Sequence, residues 1–218
     1  MTTPASDRVR VRREPERGLY GRTDVDAVLD AGLVAHVAFV HDGQPICIPT
    51  LFARAGDEVL VHGSSASRTL RTLAAGAPAC VTVTVVDGLV LARSVFEHSV
   101  NYRSAVLLGS FARVETEEGR LAAYRAFTEK LLPGRWDEVR APSPLELRAT
   151  DILALPIAEA SAKVRTGPPS DDESEDAALD VWAGVVPAVT GWGEPVGSPG
   201  LRAGIGVPES VRRLLDSV

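Results

Sequence analysis

The sequence predicts a mainly β fold, a small antiparallel barrel of six or seven short strands with helices on its outside. Short apolar, β-rich runs are separated by tight-turn sequences such as Asp42-Gly43. The run 79–86 alternates Thr82 and Thr84 with valines, which is the period of a strand whose two faces differ. The first runs follow one another directly, so the pattern favours a meander over parallel α/β units.

Composition and charge restrict the class of protein. The chain has 218 residues and a formal net charge of −6, and an acidic surface disfavours binding to nucleic acid. No apolar run approaches the ~20 residues that a membrane helix needs. The charged segment 1–22 lacks the apolar core of a secretory signal. We therefore expect a cytoplasmic protein with neither a membrane nor a nucleic acid as its partner.

Cysteine usage indicates no metal and no disulfide. Cys47 and Cys80 both lie in apolar runs, where a free cysteine is usually a small core residue. Their spacing, and that of the histidines, is not typical of a zinc site. A disulfide is not expected in a reducing compartment.

Turn and cap signals define the first elements. Residues 1–20 are charged and poor in apolar side chains, which predicts a flexible N-terminal arm. Thr23 or Asp24 can begin a short helix that Gly32 ends. A helix is also predicted at 67–75. The strands of the meander are predicted at 33–40, 45–54 and 58–62.

Alternation and turn signals predict the remaining strands. A turn at Asp87-Gly88 is expected to separate two of them, and residues 94–101 are expected to be irregular. The predicted strands lie at 79–86, 89–93, 104–114, 151–157 and 160–165, and the last two close the barrel.

Two helices and a tail complete the predicted organisation. The longer helix, 116–131, is amphipathic, and a short one lies near 144–148. The apolar face of the longer helix consists of Leu121, Tyr124, Phe127 and Leu131. A Gly/Pro segment followed by an acidic run predicts the end of the compact domain. The expected divisions are thus a barrel at 21–168 and an acidic linker with an extended tail at 169–218.

The first candidate site is the polar segment 62–68, HGSSASR, at a predicted strand-to-helix junction. Backbone N–H groups at the helix start and the hydroxyls of Ser64, Ser65 and Ser67 can donate to an anion. Arg68 adds a permanently charged guanidinium that suits a phosphate. The segment therefore predicts a phosphate site, although its serines could equally be helix caps.

A second candidate is the segment 98–104, HSVNYRS. It brings the amide, hydroxyl and guanidinium donors of Asn101, Tyr102 and Arg103 together at the start of a predicted strand. The alternative is a solvated loop in which the arginine pairs with a carboxylate.

Two strands carry further candidates. Alternation within 161–165 places Ser161, Lys163 and Arg165 on one face, which is either a cationic binding face or edge protection. Pro49 interrupts an apolar strand and lacks an N–H. Its neighbours can therefore offer backbone groups to a ligand, or form a simple bulge.

Five segments follow one another along the chain: VAFVHDGQPICIPTL, VHGSSASRTL, VTVTVVDGLVLARS, HSVNYRSAVLLG and EASAKVRTGPP. Taken together and in this order, they resemble the flavin-binding relatives of pyridoxamine 5′-phosphate oxidase. The resemblance covers about residues 15–185 and is nearest to the branch that includes the nitroimidazole-resistance proteins. It implies a split β-barrel that works as a homodimer, with FMN at the two-fold interface.

The resemblance also implies roles for particular residues. Arg68 and the serines before it would hold the FMN phosphate, and the backbone around Thr50 would lie along the isoalloxazine ring. His62 would face the flavin as a candidate catalytic residue. Apart from the resemblance, we expect Trp182 to cover the site. The residues predicted around FMN are thus Pro49, Thr50, Leu51, His62, Gly63, Ser64, Ser65, Ser67, Arg68, Asn101, Tyr102, Arg103, Lys163 and Trp182.

The implied activity is that of an FMN-dependent oxidoreductase, a reductase of a small molecule. Arg103 and Lys163 would stabilise the reduced flavin, and His62 would donate a proton. No G-x-G-x-x-G follows a strand, so NAD(P)H would bind only transiently over the flavin. The C-terminal 40 residues contain no histidine, unlike the segment by which the oxidases contact pyridoxal phosphate. Pyridoxamine phosphate oxidation is therefore not the expected reaction.

Three alternatives share the same fold. The protein could store or sense FMN without turnover, because the phosphate site serves both purposes. A split barrel could instead bind the deazaflavin F420, although its polyanionic tail favours a longer basic groove. It could also bind haem, with His36, His41, His62 or His98 as axial ligand. Of these, His36 is expected in the core and His41 in solvent.

Overall fold

A computed structural model describes residues 3–172 and 174–216. The strands are β1 (Gly18–Leu19), β2 (Val34–His41), β3 (Gln44–Ala55), β4 (Glu58–Ser64), β5 (Pro78–Leu91), β6 (Ser99–Ser110), β7 (Ala112–Arg113), β8 (Thr150–Pro156), β9 (Glu159–Arg165) and β10 (Gly184–Pro187). The α-helices are α1 (Arg22–Ala31), α2 (Arg68–Ala74), α3 (Glu117–Leu131), α4 (Pro144–Ala149) and α5 (Glu209–Leu215). Short 3₁₀ turns lie at Asp7–Val9, Pro15–Arg17, Trp136–Glu138 and Glu175–Ala178.

All strands belong to one antiparallel sheet. Its order is β1-β9-β6-β5-β2-β3-β4-β8-β7, and β10 is added to β5. Strands β8 and β9 follow each other in the chain but pair with β4 and β6, towards opposite ends of this order. The predicted mainly β fold with peripheral helices is therefore confirmed, with a sheet that curls but does not close. The predicted closing strands lie near its two ends.

The core follows the alternation of the strands. In β2, Ala35, Val37 and Phe39 are buried on the inner face of the curved sheet. Apolar residues of α1 and α2 belong to the same core cluster. A second cluster lies on the outside, where Phe127 of α3 packs against β3, β4 and β8. Two apolar clusters on opposite sides of β4 thus fix that strand, and β4 leads directly into the polar segment 62–68.

Strand β5 corrects the predicted turn at Asp87-Gly88. The strand runs on to Leu91, and its pairing with β6 shifts by one residue between Val86 and Gly88, which is a β-bulge. A Cβ on Gly88 would lie 2.8 Å from the carbonyl oxygen of Val186 in β10. The Asp-Gly sequence therefore permits a bulge and a close strand contact here. In addition, β6 begins at Ser99, so most of 98–104 is strand and not loop.

Four predicted core positions are on the surface. Cys47 and His36 are exposed, because they share the outer face of the sheet, opposite to Val37. Leu121 and Leu131 of α3 are exposed as well, and Ala123 lies in the buried face beside Phe127.

The chain on either side of 21–168 joins the sheet. Strand β1 pairs with β9, and Val9 is buried. In the C-terminal region, β10 pairs with β5, and Ser210 at the start of α5 donates from its backbone to Glu138, 3.0 Å away. None of the helices in the described residues is long and apolar enough to cross a membrane.

Candidate functional site

A cleft opens where β3 and β4 diverge. The two strands pair only between 52–55 and 58–61, so the first eight residues of β3 are unpaired on that side. Strand β4 continues beside β8, and the chain then enters α2. The resulting cleft encloses about 200 Å³. It is lined by Val37, Ile48, Thr50, Val61, His62, Gly63, Ser64, Ser67, Thr69, Leu70 and Leu73.

The serines at the start of α2 act as caps and still keep donors. The Ser67 hydroxyl oxygen accepts from the backbone N–H of Leu70 at 3.4 Å, and that of Ser64 accepts from Ala66 at 3.2 Å. An accepting hydroxyl retains its own O–H. Both serines line the cleft, so helix capping and anion binding are compatible roles for them.

Two exposed arginines stand on α2, one turn apart. Neither Arg68 nor Arg71 makes a side-chain hydrogen bond or an ion pair with any other residue the structure describes. Ser65, also exposed, donates its backbone N–H to the carbonyl of Ala149 at 3.2 Å. The guanidinium of Arg68, which follows the cleft residue Ser67 in the chain, is therefore available to an anion.

The opposite wall of the cleft is β3. Thr50 lines it, and its hydroxyl donates to the carbonyl of Leu51 at 3.2 Å. Pro49 is exposed and stands across from His36 in β2. The wall thus offers the Ile48 and Thr50 side chains together with a free backbone edge, whose N–H and C=O groups can hydrogen-bond a ligand.

His62 joins the cleft to the outer apolar cluster. Its ring lies 4.4 Å from that of Phe127, tilted by 54°. Its Nδ1 is buried and has no hydrogen-bond partner in the described chain. Burial lowers the pKa of this imidazole below its usual value. At Gly63, a Cβ would lie 3.2 Å from a methyl of Leu70, so the glycine lets α2 approach β4 closely.

Asn101 belongs to a buried polar cluster on β6 and β9. It is only 6% exposed. Its amide donates to the carbonyl of Gly167 at 3.1 Å and accepts from the Arg165 guanidinium. Arg165, also buried, donates further to the carbonyl of Pro168 at 3.3 Å. These donors are used within the chain.

The neighbouring candidates are also engaged locally. Arg103 forms a two-nitrogen ion pair with Asp87, the shortest contact being 2.7 Å. The Lys163 amine donates to the carbonyl of Arg13 at 2.8 Å. Trp182 is 66% exposed and lies over Gly184. Tyr102, which precedes Arg103 in β6, is half-buried.

The site residues predicted from the sequence therefore form two groups. Thr50 of β3 and Ala162 of β9, the residue before Lys163, lie in register with β2, β5 and β6 between them. Four strand spacings therefore separate these two residues, which is about 19 Å along the sheet. Thr50, His62, Gly63, Ser64 and Ser67 line one cleft. Arg68 begins α2 directly after Ser67, and Asn101 to Arg103, Lys163 and Trp182 lie elsewhere. Sequence reasoning missed Ile48 and Thr69, whose only signal was their nearness to Pro49 and Ser67.

An open antiparallel sheet with a polar helix start set beside the gap between two strands defines a split barrel with a ligand cleft. A family model described as pyridoxamine 5′-phosphate oxidase matches residues 21–164. The chain belongs to the pyridoxamine 5′-phosphate oxidase family, which confirms the resemblance seen in its segments.

Two solved structures are similar over nearly the whole chain. The flavocytochrome Anf3 from Azotobacter vinelandii is 40% identical, with a TM-score of 0.91, over 98% of this chain and 99% of that one. The FAD and heme binding protein from Mycobacterium smegmatis is 44% identical, with a TM-score of 0.87, over 91% of this chain and 97% of that one. Both similarities extend beyond the barrel into the C-terminal region.

A third structure shows the fold alone. A protein from Bacteroides thetaiotaomicron assigned to 5-nitroimidazole antibiotic resistance is 16% identical, with a TM-score of 0.58, over 67% of this chain and 86% of that one. No curated protein matches the chain.

Proposed function

We propose that the protein is a flavin-dependent redox protein whose flavin lies in the cleft between β3, β4 and α2. The observation that carries the proposal is the early separation of β3 from β4. It leaves a free strand edge facing a helix start that retains unused donors. A flavin, when bound, supplies transfer of hydride or single electrons, and the protein supplies position and electrostatics.

The residues of the cleft fit such a ligand. The isoalloxazine ring would lie along the free edge of β3 at Thr50, and the phosphate would bind Ser64, Ser67 and Arg68. His62 would form the wall between them. Because burial disfavours its charged form, His62 would act near neutral pH as an uncharged group that can hold or pass a proton.

The two solved structures that are similar over nearly the whole chain favour FAD over the FMN expected from the sequence. They also favour haem as a second cofactor. FMN and FAD share the ring and the first phosphate, so the cleft suits both. The similar protein from Mycobacterium smegmatis is named for FAD and haem, and that from Azotobacter vinelandii is a flavocytochrome. Transfer of electrons between a flavin and haem is accordingly the function we propose.

A homodimer would complete the site. The outer face of the sheet exposes Val34, Val40 and Val86, and His36 lies on the same face of β2. An exposed apolar sheet face of this kind favours association with a second protein surface. A second copy placed there would bring the group on β6 and β9 towards the other subunit's cleft. NAD(P)H would act as a transient donor over the open flavin, and a small molecule as acceptor.

The test is an absorption spectrum of protein purified without added cofactor, followed by denaturation and chromatography of what is released. We expect flavin bands together with a Soret band, and FAD among the released compounds. A colourless protein that takes up neither FMN nor FAD would refute the flavin site. Release of FMN alone would restore the first expectation for the cofactor and leave the cleft assignment standing.

A further inference from the structure

A second pocket, of about 280 Å³, lies between the N-terminal arm and the strands β6 and β9. The two strands pair directly here, with Ser104 opposite Lys163 and Val106 opposite Ser161. The pocket is lined by Arg8, Val9, Arg10, Val11, Arg12, Arg13, Ser104, Val106, Ser161 and Lys163. Five of these residues are cationic and none is acidic, and a pocket lined by one sign of charge attracts the opposite sign.

The arm that forms one wall is fastened to the sheet. Val9 is buried, and the backbone N–H of Val11 donates to the Tyr20 hydroxyl at 2.9 Å. The Ser6 hydroxyl donates to the carboxylate of Glu159 at the start of β9. Strand β1, which follows the arm, pairs with β9 as well. The backbone that carries the arginines is therefore already placed, which lowers the entropy cost of gathering them around a ligand.

The arginines of the arm exceed the carboxylates that pair with them. Arg10 and Arg12 share one carboxylate, that of Asp7, at 3.0 and 2.5 Å. Arg8 lies 3.5 Å from the carboxylate of Glu159. The three arginine side chains are each more than half exposed, so their guanidinium groups keep N–H donors for a ligand. Because the whole chain has a formal net charge of −6, this positive excess is local.

Arg13 and Lys163 add two charges without a carboxylate partner in the described chain. The Arg13 side chain makes no hydrogen bond or ion pair there, and Glu14 beside it pairs with Arg17 at 3.0 Å. The Lys163 amine donates to the carbonyl of Arg13 at 2.8 Å, which leaves two of its three N–H groups. Strand β9 has β1 on one side and β6 on the other, so protection of a sheet edge does not explain this lysine.

The floor of the pocket contains a buried hydroxyl. Ser161 is 6% exposed and lines the pocket, and its Oγ has no hydrogen-bond partner among the residues that the structure describes. Alternation places its side chain on the same face of β9 as that of Lys163, opposite to the core residue Ala162. A buried hydroxyl costs free energy unless it is hydrogen-bonded. An acceptor oxygen of a ligand in the pocket would supply the missing bond.

Guanidinium, ammonium and hydroxyl donors without an acceptor among them suit a phosphate, which brings three acceptor oxygens and roughly two negative charges. The pocket is slightly smaller than the ~300–1,000 Å³ of sites that enclose a whole small molecule. It therefore suits a phosphate group, with the rest of a larger ligand outside.

We propose that this pocket binds a phosphate dianion, either free or as the phosphorylated end of a small molecule. Arg13 and Lys163 supply the charge, and Ser161 supplies a hydrogen bond. The site goes beyond the proposed flavin and haem function, and it shares no lining residue with the flavin cleft.

The experiment is calorimetric titration of the full chain with inorganic phosphate, NADP⁺ and NAD⁺ as separate probes. It compares wild type with Arg13→Gln and Ser161→Ala. Arg125→Gln on the exposed side of α3 is the matched control, because it removes one positive charge outside the pocket. Titration with sodium chloride at the same ionic strength measures the effect of screening alone.

Phosphate affinity should fall about tenfold in Arg13→Gln, which loses a charge-assisted bond, and about fivefold in Ser161→Ala, which loses a neutral one. It should stay within about twofold of wild type in Arg125→Gln, because distant exposed charges are screened. The melting temperature of each variant shows that it is folded.

The two nucleotides distinguish the sources of the phosphate, because NADP⁺ differs from NAD⁺ by one phosphate group. If NADP⁺ binds more tightly than NAD⁺ and this preference is lost in Arg13→Gln, the nucleotide carries the phosphate into the pocket. If both nucleotides bind alike while phosphate binding depends on Arg13 and Ser161, the phosphate is free or carried by another phosphorylated small molecule. Both results support the site.

Three results would overturn it. The first is a wild-type protein that binds neither inorganic phosphate nor the additional phosphate of NADP⁺. The second is an equal loss in Arg13→Gln and Arg125→Gln, which would indicate a general charge effect. The third is weaker binding of FAD with unchanged binding of FMN in Arg13→Gln, because the pocket would then hold the second phosphate of the flavin. Flavin titration of the same samples tests the proposed function separately, so either one can fail alone.

Discussion

The cleft at α2 and the polar cluster on β6 and β9 use similar side chains in opposite ways. In the cleft, Ser64 and Ser67 accept one bond each, and Arg68 has no partner in the described chain. In the cluster, Asn101 and Arg165 bind each other and nearby carbonyls while almost fully buried. The cleft keeps its hydrogen-bond donors free, whereas the donors of the cluster are bonded to groups of the same chain.

The difference assigns a role to each region. A buried polar group costs free energy unless it is hydrogen-bonded, so a satisfied buried cluster serves the stability of the fold. Exposed donors cost nothing in the free protein because water satisfies them, and they remain available to a ligand. Substitutions in the cluster should therefore change stability, and substitutions in the cleft should change flavin affinity.

The largest expected effect is in the cluster. Asn101→Leu leaves a buried N–H of Arg165 without its acceptor, so the free energy of unfolding should fall by about 2 kcal/mol. Urea denaturation of the purified protein measures this. Ser104→Ala is the matched control on the same strand, because its hydroxyl makes only a 3.4 Å bond. Unchanged stability with lost flavin would reverse the assignment and make Asn101 a cofactor residue.

A smaller effect is expected in the cleft. Arg68→Ala should weaken flavin binding about tenfold, since a charge-assisted bond to a phosphate contributes roughly 1.4 kcal/mol. Fluorescence titration with FMN and FAD measures the two affinities. Arg71→Ala, one turn along the same exposed face, should stay within about twofold of wild type. Equal losses in both variants would indicate a general charge effect and no specific phosphate site.

The smallest effect concerns pH. Burial lowers the pKa of His62 in the folded state, so the folded protein holds its proton less tightly than the unfolded chain. This contribution to stability is present above the ordinary histidine pKa of about 6.5 and is lost as the pH falls from there through the folded pKa. The wild-type melting temperature should therefore fall between pH 7.5 and pH 5 more than that of His62→Leu. Parallel profiles would show that His62 is solvated.

Much of the fold was predictable because its strands alternate. The same rule would have placed His36 correctly: Ala35, Val37 and Phe39 point inwards, so the residue between them points out. The break at Asp87-Gly88 was wrong for a physical reason. The sequence allows a turn, but pairing with β6 and β10 on both sides keeps the backbone extended.

The candidate site was predictable in part. The donors of 62–68 were visible as residue types, and their helix start followed from Ser67. The cleft itself was not, because it depends on where β3 leaves β4, a tertiary event without a local signal. Nor does any local pattern show that Arg103 pairs with Asp87 or that Asp171 is buried under Arg93. Polar residue types indicate possible donors, and only packing shows which remain free.

Strand β10 covers an edge of β5 that is synthesised about a hundred residues earlier. Strand β5 pairs with β2 only through residues 79–83, and β10 occupies the same edge at 88–91. On the ribosome, β5 emerges long before 184–187, so this edge has no neighbour during most of translation. Unpaired strand edges attract other chains. A nascent or prematurely terminated chain would thus expose an unpaired, aggregation-prone strand edge at residues 88–91, just before the loop between β5 and β6. Strand β10 covers this edge once residues 184–187 have been made.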